Sequence, residues 1–266
     1  MKKLLAMVLV FTLVLTMGTL AFAVDSEVSD RTPVEIKKNL NLENEGTVNP
    51  AETFTFTIGA GTGERDGKPI TAPAFNEEKF TIEVEQCGAE GTAEGTAEIT
   101  LPQFTQVGVY TYEVKETVGN TAGMTYDNGT YYLVVTVINN PEGTGFLRVL
   151  TLKNGNNLKE DAFKNKYSAG DLTVKKEIAG NYANPEDEFE ITVTIKADEG
   201  KVINAEAIQW NLPEGSAPTV EKGSYIAIYK LKGNESFTIQ NLPYDVSYKV
   251  EEKDSGKYTA SYDENA

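Results

Sequence analysis

Two lysines and two glutamates stand where strand alternation would place them among core residues. In Val34-Glu35-Ile36-Lys37-Lys38, side chains return to one face every second residue, so Val34, Ile36 and Lys38 point together and Lys37 points away. The same count aligns Leu172, Val174 and Lys176. It also aligns Tyr110, Tyr112, Val114 and Glu116, and again Tyr248, Val250 and Glu252. A charge carried into a core is costly unless it is paired or neutralised. Desolvation lowers the pKa of a lysine and raises that of a glutamate. An inward lysine therefore tends toward the neutral amine, a nucleophile, and an inward glutamate toward the protonated acid. A plainer alternative stays open: Lys38 at a strand end can snorkel to water, and Glu116 can make a surface pair.

The elements that would carry these residues are strands. Thr53–Ile58 alternates Thr with Phe and Ile, and Phe80–Val84 and Val109–Val114 continue the two-residue period. Tyr131–Ile138 is a β-branched and aromatic run suited to a central strand. Asn128-Gly129 predicts a tight hairpin between Tyr126 and Tyr131. Gly88–Ala97 is small and repetitive and reads as a loop, and short helical turns are expected near Pro73–Glu78 and Leu158–Asp161. A boundary falls at Tyr167-Ser168-Ala169-Gly170, after which strands resume at Leu172–Ile178, Phe189–Ile195, Tyr225–Leu231, Ser236–Ile239 and Tyr248–Glu251. Many short strands with Gly, Pro and Asn turns predict an all-β chain of tandem Ig-like β-sandwiches. A weak repeat links the halves: a strand ending in Lys-Lys, a Pro-acidic stretch, a Phe-containing strand, and Tyr-x-Val-x-Glu.

Composition narrows the function. The chain has 266 residues with 24 Lys plus Arg, 40 Asp plus Glu and a net charge of −16, which argues against nucleic acid and anionic lipid as partners. It has no histidine, so the commonest general base and metal ligand are missing. Cys87 is the single cysteine and cannot form an internal disulfide. No phosphate loop, metal-ligand spacing or nucleophile elbow occurs, so neither cofactor, metal nor enzymatic turnover is expected. Asp187-Glu188 and Asp254 read as solvated acidic loops rather than calcium sites, and Asn128-Gly129-Thr130 and Asn234-Glu235-Ser236 as turns rather than glycosylation sites. Met1-Lys2-Lys3, the apolar run Leu4–Leu20 and Ala21-Phe22-Ala23 predict a signal peptide over residues 1–23, the alternative being a membrane anchor. The mature protein is then secreted, with no membrane segment.

Two stretches carry a family resemblance. Ala162-Phe163-Lys164-Asn165-Lys166-Tyr167 resembles the Phe-x-Asn-x-Tyr last strand of streptococcal pilin isopeptide-linkage domains, and Gly170-Asp171-Leu172-Thr173-Val174-Lys175-Lys176 resembles the opening of the next such domain. The resemblance implies an isopeptide-linkage sandwich over 32–168 and a second, CnaB-like sandwich over 170–266. It implies an amide between Lys38 and Asn165, assisted by Glu116. In the second domain Lys176 and Glu252 match, but no Phe-x-Asn-x-Tyr follows, and the ending Asp263-Glu264-Asn265-Ala266 offers no sorting signal. That domain is expected to lack its final strand, to leave Lys176 unpaired and to carry no cross-link, the simplest account being a truncated sequence. The implied function is the shaft subunit of a sortase-assembled cell-wall pilus. Other pilin subunits would be its partners, joined through an acceptor such as Lys159 or Lys153, and a host surface ligand is possible. The alternative is a wall-anchored adhesin or stalk built from the same modules.

Overall fold

The computed structural model describes residues 34–87, 91–141, 143–254 and 256–263, so the expected signal peptide and Asn265 lie outside the described residues. The strands of the first domain are β1 (Val34–Leu42), β2 (Glu52–Ile58), β3 (Thr62–Arg65), β4 (Lys68–Ile70), β5 (Lys79–Val84), β6 (Thr92–Ile99), β7 (Gly108–Glu116), β8 (Met124–Thr125), β9 (Thr130–Asn139), β10 (Phe146–Asn154), β11 (Lys159–Glu160) and β12 (Phe163–Tyr167). They form an Ig-like sandwich. One sheet has the order β6-β1-β12-β8, and the facing sheet runs β11-β10-β9-β7-β2-β5 with the β3–β4 hairpin attached to β7. β1 and β12, the first and last strands, pair in parallel, with Lys38 level with Phe163 and Leu40 level with Asn165.

Alternation builds the core from both sheets. Ile36 and Leu40 of β1, Phe54 and Phe56 of β2, Tyr112 of β7 and Leu133 of β9 are all buried. Each such side chain removed from water contributes about 1.5–3 kcal/mol. The aromatics pack ring on ring: Phe56 lies 4.9 Å from Phe80 and 4.6 Å from Phe163 between centroids.

Three local expectations are corrected. Thr92–Ile99 is not a loop but strand β6, paired along β1 with Gly95 opposite Lys38. Its small residues answer to packing, since a Cβ on Gly95 would sit 2.2 Å from the Glu83 carbonyl oxygen of the facing sheet. Asn128-Gly129 makes no tight hairpin: neither residue takes a positive φ, and 126–129 is the crossing from β8 in one sheet to β9 in the other. The predicted helical turns are absent, with Lys159–Glu160 instead forming an edge strand against β10. The helical element among the described residues is the 3-10 turn Ala205–Ala207, and no helix there is long and apolar enough to cross a membrane.

After the single residue Ser168 the second domain begins. Its strands are β13 (Ala169–Lys175), β14 (Glu188–Ala197), β15 (Thr219–Glu221), β16 (Ser224–Lys232), β17 (Ser236–Pro243) and β18 (Val246–Glu252). A four-stranded sheet β15-β16-β14-β18 faces the pair β13-β17, and Phe189, Val193, Ile195 and Ile239 fill the space between. Ser168 is tied on both sides, donating its N–H to Gly123 and accepting from the Tyr244 N–H. Asn241, at φ 55° and buried, donates to the Ala207 carbonyl within its own domain, and across the domain boundary it donates to the Val48 carbonyl and accepts from the Val48 N–H.

Candidate functional site

Three strands from two sheets converge on one buried polar cluster. β1 turns Lys38 inward between Ile36 and Leu40, and its side chain is fully buried. β12 turns Asn165 to the same face between Phe163 and Tyr167, one step diagonally from Lys38 across the parallel pair. β7 ends on Glu116, which reaches the pair from the facing sheet. Lys38 Nζ donates to Glu116 Oε2 at 2.6 Å, and Asn165 Nδ2 donates to Glu116 Oε1 at 2.5 Å. The carboxyl thus bridges both nitrogens. Lys37, on the opposite face of β1, is exposed and pairs with Glu35.

The surroundings are aromatic. Lys38 Nζ lies 4.9 Å from the Phe54 ring centroid and 5.9 Å from that of Phe56, close enough for cation–π attraction. Burial nevertheless dominates. It lowers the pKa of Lys38 against the opposing pull of Glu116, and it raises that of Glu116 against the opposing pull of Lys38. Both directions favour moving a proton from ammonium to carboxylate. Both shifts lead toward a neutral amine beside a protonated acid and a carboxamide, the reactants that amide exchange requires.

Sequence reading missed one participant. The Asp127 backbone N–H donates to Asn165 Oδ1 at 2.7 Å, so the carboxamide is held at both ends. Asp127 Oδ1 accepts from the Gly129 N–H at 2.7 Å, and Oδ2 accepts from the Tyr131 hydroxyl. The available signal was the Asp-x-Gly spacing, which suits an Asx turn as well as a hairpin.

The second domain repeats part of this arrangement. Lys176, just past β13, and Glu252, the last residue of β18, form an ion pair at 2.7 Å with side chains 13% and 8% exposed. Lys176 Nζ lies 4.3 Å from the Phe189 ring centroid. So Lys176 is not unpaired as a charge, although among the described residues no asparagine amide is hydrogen-bonded to the pair. The remaining candidates lie elsewhere. Lys153 and Lys159 are cross-strand neighbours on β10 and β11, with Lys153 donating to Asn157 Oδ1 and Lys159 exposed. Asp187 is taken up by Lys257, Tyr258 and Asn184, and Cys87 Sγ donates to Asn49 Oδ1.

The chain is similar to known proteins. Residues 34–168 match the family described as Spy0128-like isopeptide containing domain. The chain is 30% identical over 237 residues to a pilin of Streptococcus pyogenes serotype M1, an alignment spanning 85% of this chain and 69% of that one. The chain belongs to the Gram-positive major pilin family. The crystal structure of the Streptococcus pyogenes major pilin is similar at 25% identity and a TM-score of 0.54, over 85% of this chain and 84% of that one. A glutamate-to-alanine mutant of that major pilin is similar at 26% identity and a TM-score of 0.57, over 84% and 82%. Residues 170–266 match a domain of unknown function (DUF7601). As a member of the major pilin family, the chain is related to structural surface proteins rather than to enzymes.

Proposed function

We propose that this protein is the shaft subunit of a sortase-assembled surface pilus, and that its first domain is locked by a self-formed amide between Lys38 and Asn165. The observation that carries the reading is the Glu116 carboxyl bridging the amine of Lys38 and the amide nitrogen of Asn165 inside an apolar core. Folding presents the reactants to one another, and such placement removes roughly 7–11 kcal/mol of barrier. The neutral amine attacks, ammonia leaves, and the reaction happens once. Because β1 and β12 are parallel, pulling on their outer ends shears their hydrogen bonds. An amide between them would carry that load in their place, in an exported chain without disulfides. The test is the intact mass of the secreted protein. It should be lighter than its sequence mass by one ammonia, and Lys38→Ala, Glu116→Ala and Asn165→Ala should each restore the full mass. A wild-type mass equal to the sequence mass removes the cross-link.

Subunits would be joined by a sortase through an exposed lysine, for which Lys159 on the edge strand is the better placed of the two candidates. An adhesin or stalk function is separated from a shaft by electron microscopy of labelled cells, where a shaft subunit decorates the fibre along its length.

A second reading concerns the Lys176–Glu252 pair. β13 is bonded along one edge to β17, and among the described residues no strand pairs its other edge, the edge that β12 covers on β1. A groove of about 1060 Å³ runs along that edge, lined by Gly170–Lys175, Tyr248, Val250 and Tyr262. We infer that a strand carrying an inward asparagine would fill it and meet the pair. Synthetic Phe-x-Asn-x-Tyr peptides incubated with the protein would form an adduct lost in Lys176→Ala. Failure of every such peptide to bind refutes it.

A further inference from the structure

The cluster leaves one chemical need unassigned. When the Lys38 amine attacks the Asn165 side-chain carbon, the carbonyl π pair moves onto Oδ1, which becomes an oxyanion. Glu116 does not face that oxygen, because its two oxygens are on Lys38 Nζ and Asn165 Nδ2. The donor that meets Oδ1 is the backbone N–H of Asp127, at 2.7 Å. A fixed N–H aimed at developing charge inside a dry site is worth far more than the same bond in water.

The loop is built to hold that N–H still. Asp127 Oδ1 accepts from the Gly129 N–H, closing an Asx turn, and Oδ2 accepts from the Tyr131 hydroxyl on β9. The Tyr131 ring packs 4.6 Å from that of Phe163, two residues before Asn165. A Cβ at Gly129 would fall 2.8 Å from Asp127 Oδ1 and push that carboxylate from its place.

We propose that the Asp127 backbone N–H is the oxyanion donor for cross-linking, and that the Asp127 side chain, Gly129 and Tyr131 are positioning groups that hold it. This rests on the reading that Lys38 and Asn165 form an amide. The atoms balance without a further reagent. The neutral Lys38 amine forms the new C–N bond while Glu116 is protonated. The oxyanion pair returns to remake the carbonyl as the bond to Nδ2 breaks. The carboxyl gives its proton to Nδ2, ammonia leaves, and the carboxylate so formed takes the surplus proton from the Lys38 nitrogen.

The experiment follows loss of ammonia with time, by intact mass, in full chains freshly made by cell-free synthesis. Asp127→Pro deletes the N–H and should slow cross-linking on the order of 100–1,000-fold. Asp127→Ala keeps the N–H but frees the turn and should slow it about tenfold or more. Asp127→Asn keeps an acceptor for Gly129 and should recover most of the rate. Because the Asp127 carboxylate also raises the pKa of Lys38 and of Glu116, each variant is followed across pH and the slowing is read at the maximum of its own rate profile, with Asp127→Asn as the control that removes the charge alone. The same substitutions placed in Asn165→Ala, where no chemistry is possible, report folding alone through the melting temperature. If Asp127→Pro folds there and still cross-links at the wild-type rate, the proposal is overturned. If Asp127→Pro does not fold, Asp127→Ala decides, and a rate within twofold of wild type overturns it. A wild-type chain that never loses ammonia instead refutes the underlying amide.

Discussion

Replacing Asn165 by alanine removes the acceptor of the proposed amide and leaves Lys38 and Glu116 in place. The amide would close a loop of 127 residues between positions 38 and 165. Constraining an unfolded loop of that size stabilises the fold by about 5 kcal/mol on the chain-entropy model. The variant also loses the bond from the Asp127 N–H to the side-chain carbonyl at position 165, at about 1 kcal/mol. Together these predict a fall of roughly 20–30 °C in the melting temperature of a domain this size. Calorimetry reads the first domain, while fluorescence of Trp210, the single tryptophan, reads the second. Trp210 should report a much smaller change. Lys38→Met with Glu116→Leu also prevents the amide but leaves no buried charge and keeps Asn165 on the Asp127 N–H. It should fall less, by roughly 15–25 °C, mostly from the lost loop constraint. An Asn165→Ala protein melting within a few degrees of wild type would refute the covalent argument, whatever its mass.

Other outcomes follow from the same structure. In Asn165→Ala, Glu116 has a pKa above its ordinary 4.5, so the folded state binds a proton more readily and stability falls as pH rises through the window above 4.5. Lys38 has a pKa below 10.5, so the unfolded state holds more protons in the window below 10.5 and stability recovers as pH rises through it. Urea midpoints measured against the Lys38→Met/Glu116→Leu protein should therefore pass through a minimum between the two windows, and a flat difference contradicts the shifts. With its cognate sortase, Lys159→Ala should fail to form polymer ladders while Lys153→Ala still forms them, and unchanged ladders for Lys159→Ala exclude that residue. Asn241→Ala should cost roughly 2–4 kcal/mol and separate the two domains' calorimetric transitions, since three hydrogen bonds of its side chain are lost, two of them to Val48. Retention of wild-type coupling between the transitions would show that Asn241 does not hold the domains together.

The sequence by itself determined what depends on neighbours along one strand. Side chains two apart share a face, so Val34-x-Ile36-x-Lys38 and Tyr112-x-Val114-x-Glu116 identified an inward lysine and an inward glutamate from spacing alone. The resemblance of Phe163-Lys164-Asn165-Lys166-Tyr167 to a known last strand supplied the third residue. Tertiary structure alone decided which strands meet. Parallel pairing of β1 with β12 puts Asn165 beside Lys38, and no local pattern encodes a contact across that many residues. Small residues at 92–99 suit a loop or a close-packed strand equally, and only the Glu83 carbonyl passing over Gly95 selects the strand. Asp-Asn-Gly suits a hairpin or an Asx turn equally. The choice fell to the Asn165 carboxamide, a buried acceptor that needs a donor, and the backbone of Asp127 is the group the fold brings within reach.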